Sequence, residues 1–383
     1  MTKLRTFAST VGVALLGLTI FSSAASAEGE SITLKTVVKP LGGKLYKEVR
    51  VPASTSVSAQ VNTPPSSPKV NPLKRAVMRF PTDLTYNPNN RKTPVCPDSA
   101  LGTQSNLAAG VAATVKLCPR SVIGNGTAEI YLAKINTPAA LISDPQMVIF
   151  NGGRDGNGNA RMKIYAYSKS TNSGILMTGS LTRKGIQNVA IPVLSNDSGT
   201  ANFVLRIPGP PMTVEDPASP TGTSIIKGLD PAYARTKCSS GKWVNRGTFT
   251  LGERAYPSGT DTGPETTVEA TPYTEFCKGL PGRAKLTNAK ARGPKFLRRG
   301  TRKVFRVTVR NRGTATARNV KVRVSGFGRG QARTAKIAPG KWRTIRVRVR
   351  ITGPKGRAGR IVFRVSGKGT GIRTATRVRI ARR

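Results

Sequence analysis

The stretch Ile345-Arg346-Val347-Arg348-Val349-Arg350-Ile351 places an aliphatic residue at every odd position and an arginine at every even position. In an extended strand successive side chains point to opposite faces, so this pattern predicts one apolar face and one cationic face. A helix would spread the same residues around its whole circumference. The stretch therefore predicts a β-strand with one face in a core and the other in solvent.

The same alternation recurs in the sequence on both sides of this stretch. Its apolar positions are Phe305, Val307 and Val309, then Val320, Val322 and Val324, then Ile361, Phe363 and Val365, and finally Val378 and Ile380. With further strands near 284–290 and 332–337, about seven strands fall within about 100 residues. These proportions predict an immunoglobulin-like β-sandwich at the C-terminus.

The segment after the first of these strands carries a resemblance to a known family. Residues 307–313 end in Asn311-Arg312-Gly313, and Ala317 and a new strand from Val320 follow. This order resembles the "strand, Asn-x-Gly, Ala, strand" signature of CARDB-type domains, Ig-like modules found beside adhesion and bacterial surface domains. Pro339-Gly340 before a long alternating strand also resembles that family. The resemblance covers residues 283–383 and implies a structural role for Asn311 and Gly313 at a turn, with nothing catalytic.

The charge of the chain is distributed unevenly. The formal net charge is +46, from 63 Lys and Arg against 17 Asp and Glu, and the last acidic residue is Glu275. Residues 281–383 hold 33 of the basic residues and no acidic one. The resemblance to Ig-like domains therefore does not extend to any metal site that depends on acidic ligands. The asymmetry predicts a boundary near Pro281 and a C-terminal region that meets an anionic partner.

The outward phase of the C-terminal strands defines the candidate polyanion-binding residues. They are Arg306, Arg310, Lys321, Arg323, Arg346, Arg348, Arg350, Arg364, Arg377 and Arg379. Like charges on neighbouring strands destabilise a sheet, so this surface favours a nearby polyanion such as an anionic cell-envelope polymer or a matrix polysaccharide. The alternative is a compositional bias toward arginine with the charge simply solvated. Extracellular DNA is a further possible partner through phosphate contacts alone, since few aromatic residues interleave with the arginines.

The N-terminus reads as a secretory signal. Lys3 and Arg5 precede the apolar run Val11 to Phe21, and Ala25-Ser26-Ala27 offers a small-residue cleavage pattern. The apolar run is shorter than the roughly 20 residues that a spanning helix needs. We therefore expect a signal peptide over residues 1–27, no transmembrane segment after its cleavage, and an extracellular or cell-wall-associated protein.

The expected location outside the cytoplasm decides the redox state of the four cysteines. In an oxidising compartment Cys96, Cys118, Cys238 and Cys277 are expected to form two disulfides, and three pairings are open. Sequence proximity favours Cys96 with Cys118 and Cys238 with Cys277. A zinc site is disfavoured because the chain has no C-x-x-C spacing and no histidine.

Residues 28–280 show short apolar segments separated by Gly, Pro, Asn and Asp, which predicts a sandwich or a barrel. An opening hairpin is expected from segments 31–38 and 45–51, with a Ser/Pro-rich loop over 52–72. Asn125-Gly126 and Asn157-Gly158 are predicted hairpin turns. Through Phe80-Pro81, Asn87-Pro88 and Cys118-Pro119 this region resembles, more loosely, uncharacterised secreted proteins of soil actinobacteria, a resemblance that implies no activity.

Catalytic chemistry has few candidates in this sequence. Without histidine, Ser-His-Asp and Cys-His constellations are impossible. Paired carboxylates remain as an alternative, because glycoside hydrolysis needs only two of them. The candidates are Asp144, Asp155, Asp197, Glu215, Asp216 and Asp230. Each precedes or occupies a turn, where a short carboxylate bonds the local backbone. Residues 155–159 begin like a calcium loop, but Ala160 and Ala166 stand where that loop needs Gly and Glu.

These observations predict an all-β chain: a disulfide-containing, sandwich-like region over 28–280 followed by a strongly basic Ig-like sandwich over 281–383. The function they favour is that of a secreted, non-enzymatic structural or binding protein of the cell envelope or matrix, without a cofactor. The alternative is a carboxylate-dependent carbohydrate-active enzyme with an Ig-like accessory domain. Whether residues 28–280 form one domain or two stays open.

Overall fold

The computed structural model describes residues 29–64, 70–102, 108–132, 135–192, 198–252 and 265–382. The predicted signal peptide and Asp197 lie outside these ranges. The helical elements are α1 (Asp98–Leu101), α2 (Gly110–Leu117) and a 3-10 turn at Pro138–Ala140. Strands make up most of the remaining described chain, which confirms the all-β prediction.

The first group of strands precedes residue 281. Its members are β1 Ser31–Pro40, β2 Leu45–Tyr46, β3 Val51–Asn62, β4 Leu73–Arg79, β5 Thr85–Tyr86, β6 Val122–Tyr131, β7 Leu141–Ile142, β8 Gln146–Arg154, β9 Ala160–Ser168, β10 Ser173–Leu181, β11 Ile186–Ala190, β12 Gly199–Ile207, β13 Met212–Glu215, β14 Thr223–Ile226, β15 Ala234–Thr236, β16 Lys242–Leu251, β17 Thr266–Phe276 and β18 Gly279–Leu280.

The second group follows residue 281. Its members are β19 Leu286–Arg292, β20 Phe296–Leu297, β21 Arg302–Asn311, β22 Ala317–Gly326, β23 Gly328–Ile337, β24 Trp342–Ile351, β25 Ala358–Gly367 and β26 Thr370–Ile380.

Most of the first group forms one curved sheet. Neighbouring strands follow the order β17, β16, β4, β11, β10, β9, β8, β6, β12, β3, β15 and β5, while β1 also pairs with β3 and β7 with β6. The sheet curls until β1 reaches β17, where the Val38 N–H donates to the Glu275 carboxylate at 3.0 Å. The inner face encloses an apolar core that includes Leu34, Met78, Ile164, Phe203 and Phe249.

Strands β8 and β9 are buried on both faces. Ile149 and Ile164 point into the main core, whereas Phe150 and Tyr165 pack in a second cluster with residues of α1 and α2. A continuous run of buried residues in β8 results, because the outer face is covered by the segment that carries the helices. This second layer is a feature that alternation alone does not predict.

Two disulfide bonds cross-link the first group of strands and the loops between them. Cys96 bonds to Cys118 across the helical segment, and Cys238 bonds to Cys277 at the end of β17. Both bonds join cysteines that are neighbours in sequence, as sequence proximity favours. The first bond closes a loop of 22 residues in sequence separation and the second a loop of 39.

The predicted hairpin turn at Asn125-Gly126 is wrong. Both residues lie within β6, and the buried Asn125 donates from Nδ2 to the carbonyl oxygen of Pro210 at 2.6 Å. A Cβ on Gly126 would lie 2.2 Å from the carbonyl oxygen of Val204 on β12. Glycine therefore serves close strand approach here, not a turn. The turn at Asn157-Gly158 is confirmed: it joins β8 to β9, and Gly158 has φ +74°.

The predicted opening hairpin and loop need correction. The partner of β1 is β3, from Ser31 opposite Asn62 to Pro40 opposite Ala53, so the segment predicted as a loop from residue 52 is a strand as far as Asn62. Within 45–51 only β2 and the start of β3 are strands, and β2 pairs in parallel with β18. The Ser, Thr and Ala content of β3 led to the prediction of a loop. In the structure this strand lies between β1 and β12, where small residues fit.

The second group of strands forms a β-sandwich. Its order is β19, β21, β24, β23, β22, β25, β26 and β20, and the ladder bends at β23. Among the described residues that strand pairs with β24 through Gly328 and Arg329, and with β22 through seven residue pairs. One layer therefore contains β19, β21 and β24, and the other contains β22, β25 and β26. The rings of Phe305 and Phe363, from opposite layers, meet in the core at 5.5 Å.

Asn311 organises the turn between β21 and β22. Its Oδ1 accepts the N–H groups of Lys285 at 3.1 Å and Gly313 at 2.9 Å, and its Nδ2 donates to the carbonyl oxygens of Ala315 at 2.8 Å and Ile337 at 2.9 Å. The side chain is fully buried, so these bonds satisfy all its polar atoms. A Cβ on Gly313 would lie 2.2 Å from the carbonyl oxygen of Arg283. Both residues of the Asn-x-Gly segment thus shape the turn.

Candidate polyanion-binding surfaces

The outward face of the layer formed by β19, β21 and β24, here called face A, carries arginines in rows across the strands. Arg306 lies opposite Arg346 on β24 and opposite Arg292 on β19. Paired strands lie about 4.8 Å apart, so such a row presents three guanidinium-bearing side chains at strand spacing.

A second row of face A lies farther along the strands. Arg350 on β24 is opposite Arg302 on β21 and opposite Arg329 on β23. Between the two rows Arg348 lies opposite Val304, and all of these arginines are exposed. Face A is therefore a cationic surface crossed by two three-arginine rows.

The outward face of the other layer, here called face B, repeats this arrangement. Arg364 on β25 lies opposite Arg323 on β22 and Arg373 on β26. Lys321 lies opposite Arg333 on β23 in the neighbouring row. Farther along the same strands, Arg377 lies opposite Arg360 and Arg379 opposite Ala358. Face B thus also has a three-arginine row with further cations beside it.

The ten predicted residues do not share a single surface, which corrects the sequence interpretation. Arg306, Arg310, Arg346, Arg348 and Arg350 lie on face A, and Lys321, Arg323, Arg364, Arg377 and Arg379 lie on face B. The two layers pack against each other through their apolar sides, so their outward sides point in opposite directions. Period-two alternation identifies outward residues, but only strand order assigns them to a layer.

Several cations of these rows were missed by the sequence interpretation. They are Arg292, Arg302, Arg329, Arg333, Arg360 and Arg373. Most lie near a strand end or in a strand without a strict apolar alternation, such as β23. The sequence does contain a pattern that identifies them: each lies an odd number of positions from a buried or partly buried apolar residue of the same strand and therefore points outward.

Arg310 differs from the other predicted residues. Its Nε donates to the carbonyl oxygen of Gly340 at 3.3 Å, and its guanidinium carbon lies 5.5 Å from the ring centroid of Trp342. A cation placed over an indole is stabilised by the ring quadrupole. Trp342 remains 49% exposed, so this pair forms an aromatic and cationic edge of face A.

The cations of both faces lack local neutralisation. In the described part of 281–382, no arginine or lysine takes part in an ion pair. The carboxylate of Glu48 approaches this region from the first group of strands and accepts the Thr316 N–H at 2.7 Å. Hydrogen bonding from Thr316, helped by the charge of Arg318, holds the pKa of Glu48 below its ordinary value. This contact lies at the β21–β22 turn, away from the arginine rows.

The candidate catalytic carboxylates are held by hydrogen bonds or ion pairs, some within their own turn and some with a distant segment of the chain. Asp144 accepts hydrogen bonds from the Ser168 hydroxyl and the Ser170 N–H, both at 2.7 Å. Asp230 accepts the Ala232 N–H at 3.0 Å, and Glu215 pairs with Lys169 at 2.8 Å. The Asp230 bond agrees with the turn interpretation of the sequence. Asp144 and Glu215 instead contact the end of β9 and the turn that follows it, so local turn bonding does not describe them.

Two further carboxylates have a lowered pKa. Hydrogen bonds from Lys116 and then Ser224 lower the pKa of Asp216. Hydrogen bonds from Asn159 lower that of Asp155 and occupy both of its oxygens. A general acid needs a raised pKa, so neither group is suited to that role. In the described ranges no three Cys, Asp or Glu side chains assemble into a metal-binding group.

An apolar cavity of about 90 Å³ lies on the inner side of the curved sheet. Most of its described lining is aliphatic or aromatic, and the lining includes Met78, Met147, Ile164, Met177, Phe203 and Leu205. The polar groups along it are hydroxyls, those of Tyr167, Ser168, Ser173 and Thr200. Such a lining offers packing and no carboxylate for acid–base chemistry.

No helix within the described ranges combines the length and apolarity that crossing a membrane requires. This finding covers the described residues only.

Comparisons with known proteins give structural alignments with low TM-scores. No family model matches the chain, and no curated protein matches it in sequence. The crystal structure of the S-layer protein SbsC domains 4 and 5 aligns with 13% identity and a TM-score of 0.20, covering 67% of this chain and 98% of that one. The Escherichia coli alpha-2-macroglobulin activated by porcine elastase aligns with 9% identity and a TM-score of 0.19, covering 91% of this chain and 53% of that one. This chain thus spans about half the length of that macroglobulin.

Proposed function

We propose that this chain is a secreted, non-enzymatic structural or binding protein of the cell envelope or extracellular matrix. Its basic region, residues 281–383, binds an anionic polymer that carries phosphate or carboxylate groups. The observation that carries the proposal is the set of exposed arginines that face one another across neighbouring strands and, among the residues that the structure describes, have no carboxylate partner.

Physical chemistry favours a polyanion over bare solvation. Like charges directly opposite in a sheet destabilise it, and a bound polyanion would offset this cost. Arginine also matches the geometry of carboxylate and phosphate groups with two parallel hydrogen bonds, which lysine does not. The ladder positions of both faces are mostly arginine.

Secretion supports the choice of partner. The two disulfides suit an oxidising compartment, and the signal-like N-terminus leads out of the cytoplasm. Among anionic polymers in that location, envelope and matrix polysaccharides are the class we propose. Extracellular DNA becomes an outcome of the test, because its phosphates would bind the same rows.

The experiment is co-sedimentation of the mature chain with purified cell envelopes across a salt series. The test variant carries Gln at eight positions: Arg302, Arg306, Arg346, Arg350, Lys321, Arg323, Arg364 and Arg373. The control carries Gln at four exposed cations of the other region: Lys44, Arg120, Arg183 and Lys227.

We expect the unaltered chain and the control to bind at low salt, and binding to fall steeply as salt screens the contacts. We expect the test variant to bind at least tenfold more weakly. Equal binding of all three proteins would refute the proposal. Loss of binding after nuclease treatment of the envelopes would assign the partner to DNA instead.

A further inference from the structure

The two arginine surfaces of the basic region lie on opposite sides of one thin sandwich. Face A is the outward side of β19, β21 and β24, and face B is the outward side of β22, β25 and β26. The sandwich core between them is apolar and includes Phe305 and Phe363. A straight polymer segment that lies along one face cannot contact the other.

The two faces share one arrangement. Each has a row in which three arginines on adjacent strands lie directly opposite one another: Arg292, Arg306 and Arg346 on face A, and Arg323, Arg364 and Arg373 on face B. All six side chains are exposed. A protein that attached itself to one polymer would need one such surface, and the second would only add repulsion.

We propose that residues 281–383 bind two anionic polymer chains at once, one on each face, and so cross-link them. This inference rests on the proposed function, because it needs each face to bind phosphate or carboxylate groups. It adds bivalency: the molecule is a bridge within a polyanionic matrix and not only a protein attached to it. The expected partner is a linear polymer with closely repeated anionic groups, since each row presents cations at the strand spacing of about 4.8 Å.

The test uses two mature-chain variants with equal charge removal. The face A variant carries Arg302→Gln, Arg306→Gln, Arg346→Gln and Arg350→Gln. The face B variant carries Lys321→Gln, Arg323→Gln, Arg364→Gln and Arg373→Gln. All eight side chains point away from the core, so both variants are expected to fold, which circular dichroism and thermal unfolding check.

The probes are a linear polygalacturonate for carboxylate chemistry and a long-chain inorganic polyphosphate for phosphate chemistry. Each polymer is attached by one end to beads of two colours, and mixed-colour aggregates report cross-linking. Binding stoichiometry to free polymer is measured separately by calorimetry. Light scattering of the protein without polymer reports self-association.

We expect the unaltered chain to form mixed aggregates at intermediate protein concentration and fewer at excess, when each bead is coated separately. Each single-face variant should still bind polymer, with about half the capacity, while mixed aggregates fall at least tenfold. The eight-position variant should neither bind nor bridge. The polymer that supports both readouts identifies the preferred anion.

Three results would overturn the inference while leaving polymer binding intact. Bridging by both single-face variants would assign it to self-association. Complete loss of binding in one variant with unchanged binding capacity in the other would show that one face alone functions. Binding by the unaltered chain without mixed aggregates would show one polymer wrapping both faces. Failure of the unaltered chain to bind either polymer or cell envelopes would instead refute the proposed function.

Discussion

Arg306 on β21 lies directly opposite Arg346 on β24, and both side chains are exposed. Farther along the same ladder, beyond Val304 and Arg348, Arg302 lies opposite Arg350. On the other side, in the neighbouring row, Thr308 and Thr344 lie opposite each other with hydroxyls 3.0 Å apart. The sheet thus alternates a neutral pair that can share a hydrogen bond with cationic pairs that repel. Folding tolerates this repulsion because the opposite side of both strands is fully buried in the core.

Reversing one charge of this pair should stabilise the protein. In Arg346→Glu a carboxylate would face Arg306, so the free energy of unfolding should rise by about 0.2–1 kcal/mol at low salt. Arg346→Gln is the matched control, which removes repulsion without adding attraction and should gain less. Urea unfolding at low salt and at 1 M salt measures both, and the difference should shrink at 1 M because the Debye length falls to about 3 Å. A Glu variant less stable than the parent at low salt would contradict the repulsion argument.

Removing the buried amide of Asn311 should destabilise the basic region strongly. Asn311→Ala leaves the N–H of Lys285 and the carbonyl oxygens of Ala315 and Ile337 without their partner. Orphaned buried groups cost about 1–3 kcal/mol each, so we expect a loss of about 2–4 kcal/mol after partial rehydration. The neighbouring exposed Arg312→Ala is the control and should change stability by less than about 0.5 kcal/mol. Chemical unfolding followed by the fluorescence of Trp342, in a Trp243→Phe background so that Trp342 is the single tryptophan, separates the two outcomes, and equal stability of both variants would disprove the structural role.

The strands of the basic region could be predicted from sequence because charged residues alternate there with apolar residues that are buried in the core. At Phe305, Val307 and Val309 the apolar parity is uninterrupted, and each of these side chains is buried. What parity could not provide was the layer to which Arg364 or Arg346 belongs. That assignment depends on strand order and on the crossing of β23 between layers, both of which are long-range properties.

The structure of the first group of strands was harder to predict, because its sequence motifs are compatible with more than one local structure. Asn125-Gly126 satisfies the rule for a turn, yet it lies in β6, where the glycine permits close approach of β12. Lys163 appears outward in β9, yet it is buried beneath the helical segment that Cys96–Cys118 closes. Both departures arise from tertiary neighbours that the local sequence does not contain.

The two disulfides should contribute unequally to stability. On the chain-entropy model, loops with sequence separations of 22 and 39 correspond to about 3 and about 4 kcal/mol. We therefore expect Cys238→Ser with Cys277→Ser to cost more than Cys96→Ser with Cys118→Ser in urea unfolding. Unfolding of the parent in reductant is the control and should lose at least as much as the weaker pair. The opposite order would show that local packing outweighs loop length.

The ion pair between Asp98 and the buried Lys163 should make stability depend on acidic pH. Lys163 Nζ lies 2.6 Å from Asp98 Oδ1, and hydrogen bonding from Lys163 holds the pKa of Asp98 below its ordinary value of 3.8. A folded-state pKa below the unfolded one stabilises the protein above about pH 4, and this stabilisation is lost as the pH falls through the folded-state pKa. Asp98→Asn should therefore lower the free energy of unfolding by about 1 kcal/mol at pH 7, a modest figure because Asp98 is 66% exposed, and the difference should vanish near pH 2. Glu215→Gln is the control, since both it and Lys169 are exposed and its loss should cost only tenths of a kcal/mol. A difference between Asp98→Asn and the parent that persists unchanged at pH 2 would mean that the carboxylate charge does not hold Lys163 in place.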